Sequence, residues 1–437
     1  MYRVVLRARL PPEPMALLVT LLLMLSFTSP TSAERLDACQ FSAKVVTEFG
    51  SRIRKPMGTK IDYGRRSHPI TTNDVPLDHV RALVKLNNRK ATNWHLALYD
   101  ERDQLIQSFV PEDFDEEVIA LWSNRIKGRV ITTILARTRG SSPPWEDPLL
   151  SIESVLAMPQ EALRTYHSRK DLRSPDDEWK DIETQDLFYK QLGEGTGIML
   201  MGHNKKSWIC SGIAITEHLF LTNWHCGGLP DMVAGSYWQP SIYSNAIIDL
   251  AWENKSIDLA WENKSTRLSE FRVVRVEAKN EDRDYAILRI APISSSYLPR
   301  PAALAARVIA TEEIVLIHHP EGRKKQVSSG PTCYVLNPIH TGTTNGPIDF
   351  SHSCDTEGGS SGAPVFDRDG YLVGIHHLGH QRTEAGDCDK TNKAIHLSAI
   401  LEDLRHDKSA KIAEKKLNLL REMNAGSLTT PSDTFTR

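Results

Sequence analysis

Asp355-Thr356-Glu357-Gly358-Gly359-Ser360-Ser361-Gly362-Ala363-Pro364-Val365-Phe366 is the stretch on which the reading of this chain turns. A serine with glycine two residues before it and Gly-x-Pro directly after it can occupy a tight turn, because glycine reaches backbone conformations closed to other residues. On such a turn the amides of Gly359 and Ser361 can point together at a developing oxyanion. Taken alone, a Gly-Ser loop fits a plain flexible turn about equally well. Two upstream segments weigh against that. Leu221-Thr222-Asn223-Trp224-His225-Cys226 ends a strand-like run in a histidine, and Asp284-Tyr285-Ala286-Ile287-Leu288-Arg289-Ile290 sets an acid at the mouth of an apolar strand. A hydroxyl, a base for its proton and a buried carboxylate to orient the base are what nucleophilic acyl transfer needs. Singly, His225 reads as a core histidine and Asp284 as a solvated strand end; the three in order carry the chemistry.

Together the segments resemble the trypsin-like (chymotrypsin-fold) serine endopeptidases, whose order is also His, Asp, Ser; the resemblance covers residues 193–404. It implies a mostly β fold in which two six-stranded antiparallel β-barrels enclose a cleft, with a C-terminal helix. By the same resemblance His225 is the general base, Asp284 fixes its tautomer, Ser361 is the nucleophile, the amides of Gly359 and Ser361 form the oxyanion hole, and no cofactor is required. Ser360 is the rival hydroxyl, but the Gly-x-Ser-Gly-x-Pro spacing selects Ser361. The family pattern also joins Cys210 to Cys226. Asn223-Trp224 departs from it, since small residues usually stand there.

Within the family the sequence resembles the bacterial secreted glutamyl-endopeptidase branch. Thr356 and His376 fall where those enzymes bind a substrate glutamate, and a hydroxyl with an imidazole suits a carboxylate. Asp355 stands where trypsin carries the acid that attracts Lys or Arg, so a basic preference is the alternative. Cys333 and Cys354 flank two neighbouring strands and are paired on that ground, and elimination leaves Cys39 with Cys388. His376, His377 and His380 with Cys388 and Asp389 match no compact zinc-ligand spacing, so no metal site is assigned. His318-His319-Pro320 reads as a structural strand-end turn.

Composition narrows the function classes. The 437 residues carry 53 Lys+Arg against 55 Asp+Glu, with 40% hydrophobic and 25% charged residues, the balance of a globular protein. A net charge of −2 supplies no basic footprint for nucleic acid. Arg3, Arg7 and Arg9, an apolar run at 15–27 and Thr31-Ser32-Ala33 read as a signal peptide over residues 1–33, too short in its apolar part for the roughly 20 residues of a membrane span. The expected location is therefore extracellular or periplasmic, where cysteines pair, with protein or peptide substrates and no stable membrane insertion.

Residues 34–140 read as a small β-sandwich-like domain of unassigned role, with strand-like runs at 84–86, 94–99, 105–110 and 130–135. Residues 115–122 fit a short helix or a strand. Residues 141–192 read as a linker or pro-segment, opened by Ser141-Ser142-Pro143-Pro144 and carrying helical patterns near 152–157 and 181–192. No Arg-Ile-Val-Gly-Gly junction lies near Gly193, so an activating protease would have to cut within 137–191. Residues 193–405 form the protease region and 406–437 a charged, partly disordered tail. Nine residues, Ile248-Asp249-Leu250-Ala251-Trp252-Glu253-Asn254-Lys255-Ser256, recur at 257–265 and read as a loop duplication, which costs little closure entropy. Two rival readings remain: a catalytically silent homologue that binds other proteins, and an adhesin using the β domain, with proteolysis secondary.

Overall fold

The computed structural model describes residues 53–423 except 72–75, 117, 141–144, 160–178, 253–268, 294–297, 308–311, 341–347, 380, 383–387, 390, 406–418 and 420. The expected signal peptide and the Cys39–Cys388 pairing lie outside what is described. Among the described residues no helix is long and apolar enough to cross a membrane.

Six antiparallel strands close into a barrel, in the order Thr196–His203, Lys206–Ala214, Leu219–Thr222, Tyr285–Pro292, Glu270–Asn280 and Ile247–Asp249. Its interior takes Met199, Phe220, Ile248, Phe271, Ala286 and Leu288. The second unit is a half-barrel rather than a closed one. Its eight strands run Val335–His340, Asp349–His352, Asn392–His396, Leu372–Leu378, Pro364–Asp367, Ile314–His318, Gln326–Ser328 and Lys180–Asp181. The last comes from the stretch read as linker and pairs Asp181 with Gln326. The C-terminal helix Leu397–Arg405 buries Leu397, Ile400, Leu401 and Leu404 on this unit, an apolar stripe at helical spacing. Leu419 and Met423, in the segment read as a charged tail, are buried in the same core, so domain packing extends past residue 405.

The N-terminal domain is a sandwich of two four-stranded sheets. One orders Arg54–Lys60, Leu150–Pro159, Leu77–Leu86 and Ala120–Trp122; the other orders Gly64–Pro69, Val130–Arg137, Trp94–Tyr99 and Leu105–Phe109. The helical pattern expected near 152–157 is instead the strand Leu150–Pro159. Its apolar residues serve two cores: Ile152, Val155 and Ala157 face the sandwich interior, while Leu156 and Met158 join Ile53, Leu83 and Trp122 against Ile198, Leu200, Ile209, Ile247 and Trp252 of the protease part. A strand buried on both faces loses the polar alternation that marks strands and mimics a helix face. The sandwich therefore includes residues up to 159, past the expected 140, and residues 115–122 end in a short strand.

Charge reinforces this docking. Glu270, 1% exposed in a barrel strand, receives Arg81 and His79 from one sandwich strand and Arg125 from the neighbouring loop, the last two at 3.3 Å. Arg54 donates to Asn245 O at 2.7 Å and to Ser154 Oγ at 3.2 Å. A buried carboxylate without these donors would be strongly destabilising.

The duplication is not confined to a loop. Its first copy supplies Ile248 and Asp249 of the barrel-closing strand Ile247–Asp249 and the buried Trp252, whose Nε1 donates to Gly322 O at 3.0 Å; the rest of that copy from residue 253 and the second copy lie outside the described residues. Removing either copy yields the same sequence, so excising nine residues is expected to preserve the barrel and shift the melting temperature by less than about 2 °C in a thermal melt. A loss of more than about 5 °C would show that both copies pack.

Candidate active site

Asp284 ends the turn before strand Tyr285–Pro292 at φ 41°, a left-handed conformation uncommon for a residue with a side chain. Its carboxylate Oδ1 accepts the His225 backbone N–H at 2.9 Å and Oδ2 lies 2.8 Å from His225 Nδ1. Asn223 Nδ2 donates to the Asp284 carbonyl at 3.0 Å. The asparagine that departs from the family pattern thus holds the unusual turn. Trp224 stacks on Tyr237, ring centroids 4.4 Å apart. Burial alone would raise the Asp284 carboxyl, but His225 and His377 together hold it well below the ordinary carboxylate range.

His377 is a residue that the sequence reading did not place here. Its Nδ1 lies 3.3 Å from Asp284 Oδ2, and its Nε2 lies 3.3 Å from Asp349 Oδ2, an ion-pair separation without hydrogen-bond alignment. Neighbouring residues on a strand face opposite ways. In Leu372–Leu378, His377 therefore turns to Asp284 while His376 meets His352, Nδ1 to Nε2 at 3.1 Å.

The serine loop is tied to the first barrel by Ser211, another residue the sequence did not flag. Ser211 N–H donates to Ser361 O at 2.7 Å, and its hydroxyl donates to Gly359 O at 2.8 Å while accepting the His319 N–H at 3.0 Å. Ser211 follows Cys210, which is bonded to Cys226 beside His225. Gly359 and Gly362 hold φ of 101° and 83°, and a Cβ on them would meet His319 O at 2.7 Å and Ser211 O at 2.2 Å. Both positions require glycine. Ser360 and Gly362 donate their amides to Glu357 O and His376 O, whereas no described backbone acceptor takes the amides of Gly359 and Ser361.

The two serines separate cleanly. Ser360 is fully buried and its hydroxyl lies 2.8 Å from His318 Nδ1. Ser361 is 8% exposed, and its hydroxyl has no hydrogen-bond partner among the described residues. Its bond to His225 is not made in this structure, as is common before substrate arrives.

Of the expected specificity residues, Thr356 is buried with its Oγ1 unpartnered. Burial and the neighbouring imidazoles push His376 well down, so its ring is neutral. Asp355 is fully buried, and its carbonyl accepts from Ser328 Oγ at 3.2 Å. The disulfides Cys210–Cys226 and Cys333–Cys354 are both formed. Cys210, Cys226 and His225 bring potential ligand atoms within 4.8 Å of one another, but the oxidised sulfurs offer no thiolate to a metal. In the zinc cluster weighed from sequence, the side chains of His380, Cys388 and Asp389 fall outside the described residues.

Residues 210–375 match the family described as a trypsin-like peptidase domain. The chloroplastic protease Do-like 1 of Arabidopsis thaliana is 27% identical over 104 residues, which make up 23% of this chain and 24% of that relative, so the chain spans about a quarter of the curated relative it matches. Among solved structures, the active form of the Rv3671c protease from M. tuberculosis is similar over 57% of this chain and 95% of its own, with 15% identity and a TM-score of 0.36. Deg5 is similar over 49% of this chain and 89% of its own, with 14% identity and a TM-score of 0.36. Neither likeness bears on chemistry at this distance.

Gly359→Ala is expected to misplace one oxyanion donor while the chain still folds. Peptide hydrolysis should fall by about 10²–10³ with an unchanged circular dichroism spectrum. Full activity in that variant would show that the Gly359 amide does not serve the reaction.

Proposed function

We propose that the chain is a secreted serine endopeptidase acting through Ser361, His225 and Asp284. The observation that carries this is Asp284 fixing both the backbone and the Nδ1 of His225, while Ser211, next to the Cys210–Cys226 disulfide, holds the backbone of a serine whose hydroxyl is unengaged among the described residues. With Nδ1–H donated to the carboxylate, Nε2 is the unprotonated nitrogen. It takes the Ser361 proton as Oγ bonds to the peptide carbonyl carbon, and the amides of Gly359 and Ser361 receive the oxyanion. His225 then gives that proton to the leaving amine. Water, activated by the same ring, releases the acyl group from Ser361.

A preference for Glu or Asp before the scissile bond is favoured over Lys or Arg. Thr356 Oγ1 is a buried hydroxyl with no partner, which suits an incoming carboxylate. In the tautomer in which His352 Nε2–H donates to its Nδ1, a neutral His376 has Nε2–H left to donate. Asp355, the acid a basic side chain would seek, is fully buried. The docked sandwich supports a permanent companion domain rather than a loose adhesion module. A silent homologue is disfavoured by the two unspent amides flanking Ser360.

The test is a peptide library with every residue type before the scissile bond, read by mass spectrometry, with Ser361→Ala as control. Cuts after Glu or Asp that vanish in the control are expected. Cuts after Lys or Arg would move the specificity role to Asp355, and a folded chain that cleaves nothing would favour the silent homologue.

A further inference from the structure

We propose that His377 is a positioning residue for this reaction, an imidazolium wedged between the carboxylates of Asp284 and Asp349 that keeps Asp284 ionised and aimed at His225. The proposal rests on reading Ser361, His225 and Asp284 as the reacting set.

Geometry and burial carry it. His377 is 2% exposed and Asp349 is fully buried, and the Asp349 carboxylate makes no hydrogen bond among the described residues. Its near cation is the His377 ring, 3.3 Å away. A neutral imidazole has one N–H and can serve one acid; only the doubly protonated ring presents N–H to both. Two buried carboxylates this close to one ring therefore favour the charged form, since with a neutral ring bonded to Asp284, which His225 also meets, the Asp349 carboxylate would be left without a compensating charge. Burial opposes that charge, but the bond to Asp284 and the Asp349 carboxylate outweigh it and push His377 up to about 9.

The groups facing His377 from each packed element are few. Asp284 comes from the turn before strand Tyr285–Pro292, and His225 from the short helix His225–Gly227. Asp349 comes from strand Asp349–His352, and His376 lies on its own strand. His396, at the end of strand Asn392–His396, lies near Asp349, but its Nε2 is 2.7 Å from Pro338 O and burial pushes it down, so it adds no positive charge.

Charge bookkeeping gives Asp349 its part. At rest, two carboxylates surround one imidazolium. When Ser361 Oγ bonds to the carbonyl carbon and its proton passes to His225 Nε2, a second imidazolium appears on Asp284, and the buried group of four becomes neutral just as the oxyanion forms. Without Asp349 the same group would carry an uncompensated positive charge. His377 keeps its proton throughout, and none crosses Asp284.

The test uses the full chain with His377→Gln and Asp349→Asn, checked for folding by circular dichroism. His377→Gln keeps an amide donor but removes the charge. It should lower kcat by about tenfold with KM altered less than about twofold. Loss of a positive charge beside Asp284 makes the base easier to protonate, so the acid limb of the kcat/KM profile should move to higher pH by about one unit. A readout independent of activity is imidazole nitrogen NMR on the Ser361→Ala chain: the His377 ring should carry both protons at about pH 7.5, and Asp349→Asn should release one at lower pH. A neutral ring in an active enzyme, or His377→Gln with unchanged kcat and an unmoved acid limb, overturns the proposal alone. A wild-type chain without activity sinks the peptidase reading, and the positioning role with it.

Discussion

A buried carboxylate has to be answered by donors, and Asp284 draws its donors from every part of the protease region. The backbone and ring of His225 come from the short helix that follows the first barrel's third strand and His377 comes from the half-barrel, while the Asn223 amide, from the residue directly after that strand, holds the Asp284 backbone carbonyl. An ion in low dielectric is tolerated only when such partners are already in place. The cleft thus gets a fixed base without using the nucleophile to hold it. Ser211 performs the matching task for the other half of the site: one residue binds the backbone of Ser361, Gly359 and His319.

The N-terminal sandwich belongs to the same mechanical unit. Ile209 lies in the apolar cluster shared with Ile53, Trp122 and Met158, and its side chain closes the space a Cβ on Gly359 would need. Trp252 in that cluster bonds Gly322 O, and the Glu321 N–H of the same turn donates to Gly358 O at 2.6 Å. A continuous run of packed groups therefore leads from the docking face to the loop of Gly359 and Ser361. Glu270 pairs with Arg81, His79 and Arg125 across the contact between the sandwich and the barrel.

Local chemistry was legible in the sequence, and so were the pairs that carry a motif, His225 with Asp284 and the two described disulfides, whereas long-range partners without a motif were not. The turn at Gly359 and Gly362 could be read because glycine spacing has one steric meaning there, and the structure gives both residues positive φ. The same spacing favours Ser361 over Ser360 as the proposed nucleophile, and the Ser360 hydroxyl lies 2.8 Å from His318 Nδ1. His377 stayed hidden because a His-His pair on a strand does not say which ring faces which layer. Asp349, some sixty residues from Asp284 in sequence, carries no local signature at all. Strand Leu150–Pro159 was misread because burial on both faces erased its alternation, and the half-barrel's eighth strand because two residues, Lys180–Asp181, are too short to show a period.

The central claim is that one serine, activated by a carboxylate-bound histidine, is the nucleophile. The direct test is reaction of the full chain with a fluorophosphonate, followed by peptide mass spectrometry to locate the modified residue. A single adduct on Ser361, retained in Ser360→Ala and lost in His225→Ala, is expected. An adduct on Ser360, or none on a folded chain, would contradict it.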